Sequence, residues 1–382
     1  MKMKAFYSWF IGHLFILFPL LSFCQTKKIP VFISGLEGYQ NYRIPALISL
    51  PDGELLAFCE GRVAGSDDFG NIDIVMKRSL DKGRTWSGVQ RVVDAGNLQA
   101  GNPAPVVDLM DPAYPHGRIF LFYNTGNNHE SEVRKGNGRR EVLYITSADQ
   151  GRTWSEPVNI TGMVHPPAWR SYANTPGHAM QFEKGKYKGR IFVAANHSAG
   201  DPLKQFADYR AHGYYTDDHG IHFHLSADVN IPGGNENMAT ELSHDGLMLN
   251  LRNQKGDVRS RIVAVSRNGG ESWDTAYFDP HLPDPVCQGS ILTVGERNGK
   301  NIIAFCNNAD TARRDNLTLR ISFDEGKTWI KNFVIDKSLQ NHEDSFTGYS
   351  DIAKMSKSQI GVLYEKENYS KIVFTVVDWR PR

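Results

Sequence analysis

Three hairpins in this chain carry chemistry-bearing residues at their ends. Arg43 and Arg62 bracket "IPALISLPDGELLAFCEG", two apolar runs around a Pro-Asp-Gly turn. Glu236 and Arg252 bracket a second hairpin in "NENMATELSHDGLMLNLR", with Glu241 inside its first strand as a weaker candidate. Tyr349 and Glu365 bracket a third in "YSDIAKMSKSQIGVLYE". Asp67 and Asp68 lie in the glycine-rich loop "AGSDDFGNID", and Arg313 and Arg314 stand just before the run "NLTLRIS". Arginines brought to one axis repel each other unless an anion sits between them. Their planar forks match a carboxylate in two-pronged fashion, so the expected ligand carries one. A glutamate such as Glu365 beside one arginine orients it. A tyrosine with a glutamate in reach gives up its proton and attacks as a nucleophile. A separate aspartate protonates a leaving group.

The elements that must hold these residues come from a repeat. Ser-x-Asp-x-Gly-x-Thr-Trp occurs as "SLDKGRTW" from Ser79, "SADQGRTW" from Ser147 and "SFDEGKTW" from Ser322. "SRNGGESW" from Ser266 is a softened copy, and "TDDHGIHF" from Thr216 a degenerate one. The spacing of roughly fifty to seventy residues falls in the range of propeller blades. The aspartate accepts backbone N–H groups, glycine supplies positive φ, and the tryptophan packs beneath. Each box follows an alternating, β-branched run such as "IDIVMKRS" or "LTLRIS". No segment reads as a helix of three turns. The boxes mark outer turns, away from the axis where a ligand would bind. Five boxed blades and an unboxed one, made by joining the chain ends, predict an all-β, six-bladed β-propeller.

The 382 residues are 40% hydrophobic with a formal net charge of +1, which gives no sign of nucleic-acid binding. Lys2 and Lys4 precede the apolar segment "AFYSWFIGHLFILFPLLSFC", read as a secretory signal over residues 1–25. The propeller domain then spans 26–382, and the product is secreted or periplasmic. An uncleaved membrane anchor is the rival reading, and Phe23 is a poor fit to lipid attachment at Cys24. Cys59, Cys287 and Cys306 read as buried strand thiols. His212, His219, His222 and His224 crowd one stretch, but their spacing matches no common zinc pattern and falls on the degenerate box.

The Arg-Ile-Pro triplet at Arg43, the boxes and the terminal "YSD…GVLYE" together resemble the bacterial exo-α-sialidases (neuraminidases, glycoside hydrolase family 33) across the mature chain. The resemblance implies a six-bladed propeller and an arginine triad of Arg43, Arg252 and Arg314, with Arg313 as the alternative to the last. It implies Arg62 as a fourth arginine, Asp68 (alternatively Asp67) as acid/base, Tyr349 as nucleophile and Glu236 as its base. Glu365 would steady Arg43, and Asn102 would sit near a ring substituent of the sugar. Sialylated glycans are the implied partners, with retention of configuration and no metal or cofactor. A lectin without turnover would lack Tyr349, Glu236 or Asp68, all of which are present. A trans-sialidase remains a further reading.

Overall fold

The structure, a computed structural model, describes residues 27–339 and 346–380. The leader read over residues 1–25, Cys24 included, lies outside the described residues. Among the described residues strands dominate, and the longest helix, Glu130–Arg134, has 5 residues. No described helix is long and apolar enough to cross a membrane.

The strands form antiparallel sheets in a β-propeller arrangement, but not as six separate four-stranded sheets. Four sheets have the size of single blades. The fifth is eight-stranded and runs from Asn41–Ser49 to Val158–Asn159. Its two halves are joined by one parallel pair, Ile72 with Gln99. The cause is local. The short strand Gln90–Val93 covers only Ile74 to Met76 of its neighbour, so the edge at Ile72 stays open and picks up the incoming strand Gln99–Asp108. The chain ends meet as expected, because Ile29–Ile33 pairs with Lys371–Asp378 in the sheet that also holds Tyr349 and Glu365.

The boxes close their turns as the sequence predicts. In the second, Asp149 Oδ1 accepts the Thr153 N–H at 2.9 Å, and Ser147 Oγ accepts the Gly151 N–H at 2.7 Å. In the degenerate box His222 takes the threonine's place, with Nδ1 2.6 Å from Asp218. Box tryptophans pack edge-on against the adjacent sheet, Trp86 on Phe374 and Trp273 on Phe192. At Gly83, φ is +83°, and a Cβ would meet the Phe374 ring at 2.0 Å, so only glycine fits under that contact. Apolar clusters fill the spaces between sheets, as with Leu319, Ile321, Ile352, Val362 and Trp379. Cys59, Cys287 and Cys306 are buried and unpaired; Cys287 precedes its strand rather than lying in it.

Five inner strands share a further feature. Register slips between Arg43 and Ala46, Gly101 and Ala104, Trp169 and Tyr172, Gly234 and Asn237, and Thr347 and Ser350. A bulge frees residues from the ladder and re-aims their side chains. Ile44 and Asn102, at two of these bulges, have φ of 61° and 54°.

Below the bulges the strands are tied across the axis. The buried Asp351 carboxylate accepts N–H bonds from Leu47 at 2.8 Å, His178 at 3.0 Å and Ile352 at 2.9 Å, and it lies 2.7 Å from His178 Nδ1. Gln288 bonds both backbone groups of Ser350 and the Pro176 carbonyl, each at 3.0 Å. Asp351→Ala strands three buried N–H donors, each worth about 1 kcal/mol or more. We expect a loss of at least about 3 kcal/mol in denaturant unfolding; a loss below about 1 kcal/mol would show that the axial tie is dispensable.

Candidate functional site

A cavity of about 310 Å³ opens on the bulged end of the inner strands. Its walls include Arg43, Arg62, Asp68, Asn102, Glu236, Arg252, Arg314 and Tyr349. Glu365 lies directly behind Arg43, fully buried. The structure thus brings together the residues the sequence singled out. It also separates the doubtful pairs. Asp67 lines a small cavity of about 70 Å³ within its own loop, and Arg314, not Arg313, lines the larger one. A bigger cavity of about 480 Å³ has mostly apolar walls such as Leu47, Val106 and Leu292. Glu241 lines that one, where it accepts the N–H groups of Glu183 and Lys184, so it falls outside the candidate site. Of these two, the charged cavity is the one that gathers the candidate residues.

Each buried arginine has a distinct support. Arg43 Nε donates to Glu365 Oε1 at 2.7 Å. The same carboxylate accepts the N–H groups of Ile44 and Tyr349, each at 2.9 Å, so it fixes both bulges at once. Burial alone would weaken the hold of Arg43 on its proton, but the charge of Glu365 outweighs it and raises the pKa. Arg252 Nη1 donates to Glu236 Oε2 at 2.7 Å and to the Tyr349 hydroxyl at 2.8 Å. Arg314 donates to the Tyr369 hydroxyl at 3.0 Å and to the Val286 carbonyl at 3.3 Å.

Tyr349 and Glu236 are in direct contact, the phenol donating to Glu236 Oε1. Burial pushes the Tyr349 pKa well above 10, the charge of Glu236 pushes it the same way, and Arg252 and Arg314 pull it back. At neutral pH the phenol therefore keeps its proton while an acceptor and two cations stand ready for the phenolate. Such an arrangement can pass the proton to Glu236 when an electrophile approaches the phenol oxygen.

Arg62 is held from two sides. Nε and Nη2 bond Glu60 Oε2 at 3.1 and 2.6 Å, and Nη1 reaches Asp68 Oδ1 at 2.8 Å. The Asp68 side chain is 80% exposed, open to both solvent and ligand. Glu60 Oε1 also accepts the Asn102 N–H at 3.0 Å. Sequence reading missed Glu60. The signal was available: a carboxylate two residues before Arg62 on one strand points to the same face. It also missed the wall formed by Gln99, Glu130, Arg140 and Tyr209. There Glu130 accepts the Ser171 hydroxyl at 2.5 Å and the Tyr209 hydroxyl. These residues come from separate strands and a short helix, and no motif links them.

The histidine-rich stretch does not converge. His212 pairs with His197 at 3.2 Å inside a cluster of rings, and burial holds its pKa well below 6.5. His219 bonds Asp108 at 2.7 Å, and His222 completes the degenerate box.

Known proteins resemble this chain over most of its length. Residues 53–362 match the family described as BNR repeat-like domain. A sialidase of Micromonospora viridifaciens is 34% identical over 351 residues, which cover 87% of this chain and 51% of that one. A sialidase of Bacteroides fragilis is 29% identical over 361 residues, covering 87% of this chain and 61% of that one. The chain thus spans between half and two thirds of the length of these relatives. Among solved structures, the Hadza microbial sialidase Hz136 superposes with a TM-score of 0.77 at 26% identity, covering 90% of this chain and 67% of that one. With the match extending over most of its length, this chain belongs to the family of BNR repeat-like domains, and within it is similar to the sialidases.

Proposed function

We propose that this protein is a retaining exo-α-sialidase that removes terminal α-linked sialic acids from glycoproteins, glycolipids and oligosaccharides. The observation that carries the reading is the contact of Tyr349 with Glu236 and Arg252 in a cavity faced by Arg43 and Arg314. The sialidase relatives support it. In this reading the eight-stranded sheet counts as two blades, which makes six. Residues 26–382 form the catalytic domain, and residues 1–25 direct export.

The substrate carboxylate sits among Arg43, Arg252 and Arg314. The Tyr349 oxygen attacks the anomeric carbon as its proton passes to Glu236. Asp68 protonates the departing glycosidic oxygen, and a covalent tyrosyl glycoside forms. Water, deprotonated by Asp68, then displaces the tyrosine, which recovers its proton from Glu236. Two displacements at one carbon leave its configuration unchanged. A neutral phenol suits this carbon, because sialic acid bears its carboxylate there and an attacking carboxylate would meet that charge. The developing positive charge is stabilised by the anions around it. Arg62 and Asn102, held together by Glu60, contact the ring substituents.

The test is release of 4-methylumbelliferone from its α-sialoside, with a β-galactoside as control. The reading predicts release from the first alone, with the α-anomer of sialic acid appearing first in proton NMR; no release, or the β-anomer first, sinks it. Tyr349→Phe should lower kcat by at least about 10²-fold while binding of the unsaturated sialic acid analogue stays within about 3-fold. A variant with a near-normal rate removes Tyr349 from the chemistry. Glu60→Gln weakens the charge-assisted bonds that hold Arg62, worth about 1.5 kcal/mol, so KM should rise about 10-fold with little change in kcat. An unaltered KM would show that Glu60 does not hold the arginine for the substrate.

A further inference from the structure

Two of the cavity's arginines rest on one side chain that does not line the cavity. The Tyr369 ring lies under Arg43, whose Cζ is 4.0 Å from the ring centroid. The hydroxyl of the same ring accepts from Arg314 Nη1 at 3.0 Å. The Tyr349 ring lies farther from Arg43, at 5.5 Å from its Cζ, and stands 5.6 Å from the Cζ of Arg314.

Tyr369 stands in the turn between the strands Gln359–Lys366 and Lys371–Asp378. Glu367, Asn368 and Tyr369 have φ of 52°, 51° and 63°. Three successive left-handed residues without a glycine persist only where the surroundings hold them. The surroundings do so here. The Glu367 N–H bonds the Phe346 carbonyl at 2.8 Å, and the Ser34 N–H bonds the Ser370 carbonyl at 2.9 Å. The Tyr369 carbonyl accepts from Ser34 Oγ at 3.0 Å and from Asn41 Nδ2 at 3.3 Å. Asn41 begins the strand that carries Arg43. The turn is thus fastened to the arginine's own strand.

We infer that Tyr369 is a positioning residue for carboxylate recognition: it sets the separation and orientation of Arg43 and Arg314 before the ligand arrives. The inference rests on the proposed reading of those arginines as a carboxylate clamp. Two guanidinium groups facing one cavity repel each other while it is empty. The negative face of the ring attracts Arg43, and the hydroxyl oxygen attracts Arg314, so one rigid group opposes their divergence. A flexible side chain could not hold both at a fixed spacing.

The test compares Tyr369→Phe, which keeps the ring under Arg43 and loses the bond to Arg314, with Tyr369→Leu, which loses both. Calorimetry measures binding of the unsaturated sialic acid analogue and of the same sugar reduced to a primary alcohol at C1. Affinity for the acid should fall about 5-fold in Tyr369→Phe and at least about 30-fold in Tyr369→Leu, with affinity for the alcohol unchanged. In turnover the loss should appear in KM, with kcat within about 3-fold. Equal weakening of both sugars, or a fall in Tm with the acid bound normally, would make Tyr369 a structural residue only and overturn the inference. If Tyr369→Leu does not fold, Tyr369→Phe decides alone. Failure of the wild-type protein to cleave the sialoside would overturn the sialidase reading, while the two binding arms would still judge Tyr369.

Discussion

The constraint on which this site depends is repulsion among buried arginines. Arg43 and Arg252 are each about nine-tenths buried, and Arg314 faces the same small cavity. Unpaired, such charges would be expelled toward solvent. The structure solves this separately for each. Arg43 has the Glu365 carboxylate behind it, Arg252 has Glu236 beside it, and Arg314 has the oxygens of Tyr369 and Val286. A cavity of about 310 Å³ stays open among these arginines and their supports. The cavity is therefore stable when empty and still attractive to an anion.

The same supports prepare the chemistry. Glu365 fixes the strand bulges at both Ile44 and Tyr349, so the arginine and the tyrosine are placed by one carboxylate. Glu236 balances Arg252 and also accepts the Tyr349 hydroxyl, so in the proposed mechanism charge neutralisation and base catalysis share a residue. Asp68 differs. It sits on an exposed loop, tied only at its tip to Arg62, which suits a group that must meet both leaving group and water. In the proposed reading the rigid part of the site holds the sugar's acid end, and the exposed part handles proton traffic.

Most of the site was legible because its residues stand at strand ends beside apolar runs. Arg43, Glu236, Arg252, Tyr349 and Glu365 all met in space as the hairpins predicted. Choosing Asp68 over Asp67 and Arg314 over Arg313 needed coordinates, since adjacent residues point in different directions and a loop has no periodicity to say which faces in. Glu60 was hidden inside an apolar run, and Tyr369 inside a polar turn that reads as solvent-exposed loop. The sheets number five rather than six for a local reason. A short outer strand left Ile72 free to pair with Gln99, and that one bridge merges two sets of four strands into one sheet.

The sequence by itself determined the all-β class, the box turns, the joining of chain ends and the set of charged residues destined for the axis. Those features are local: alternation, turn chemistry and spacing act over a few residues. Only the tertiary structure decided how the charges are distributed. Glu365 reaches Arg43 across 322 positions, and Tyr349 reaches Glu236 across 113. Such pairings exist only after the sheets close around an axis, and the strand bulges that aim them arise from how each inner strand meets its neighbour.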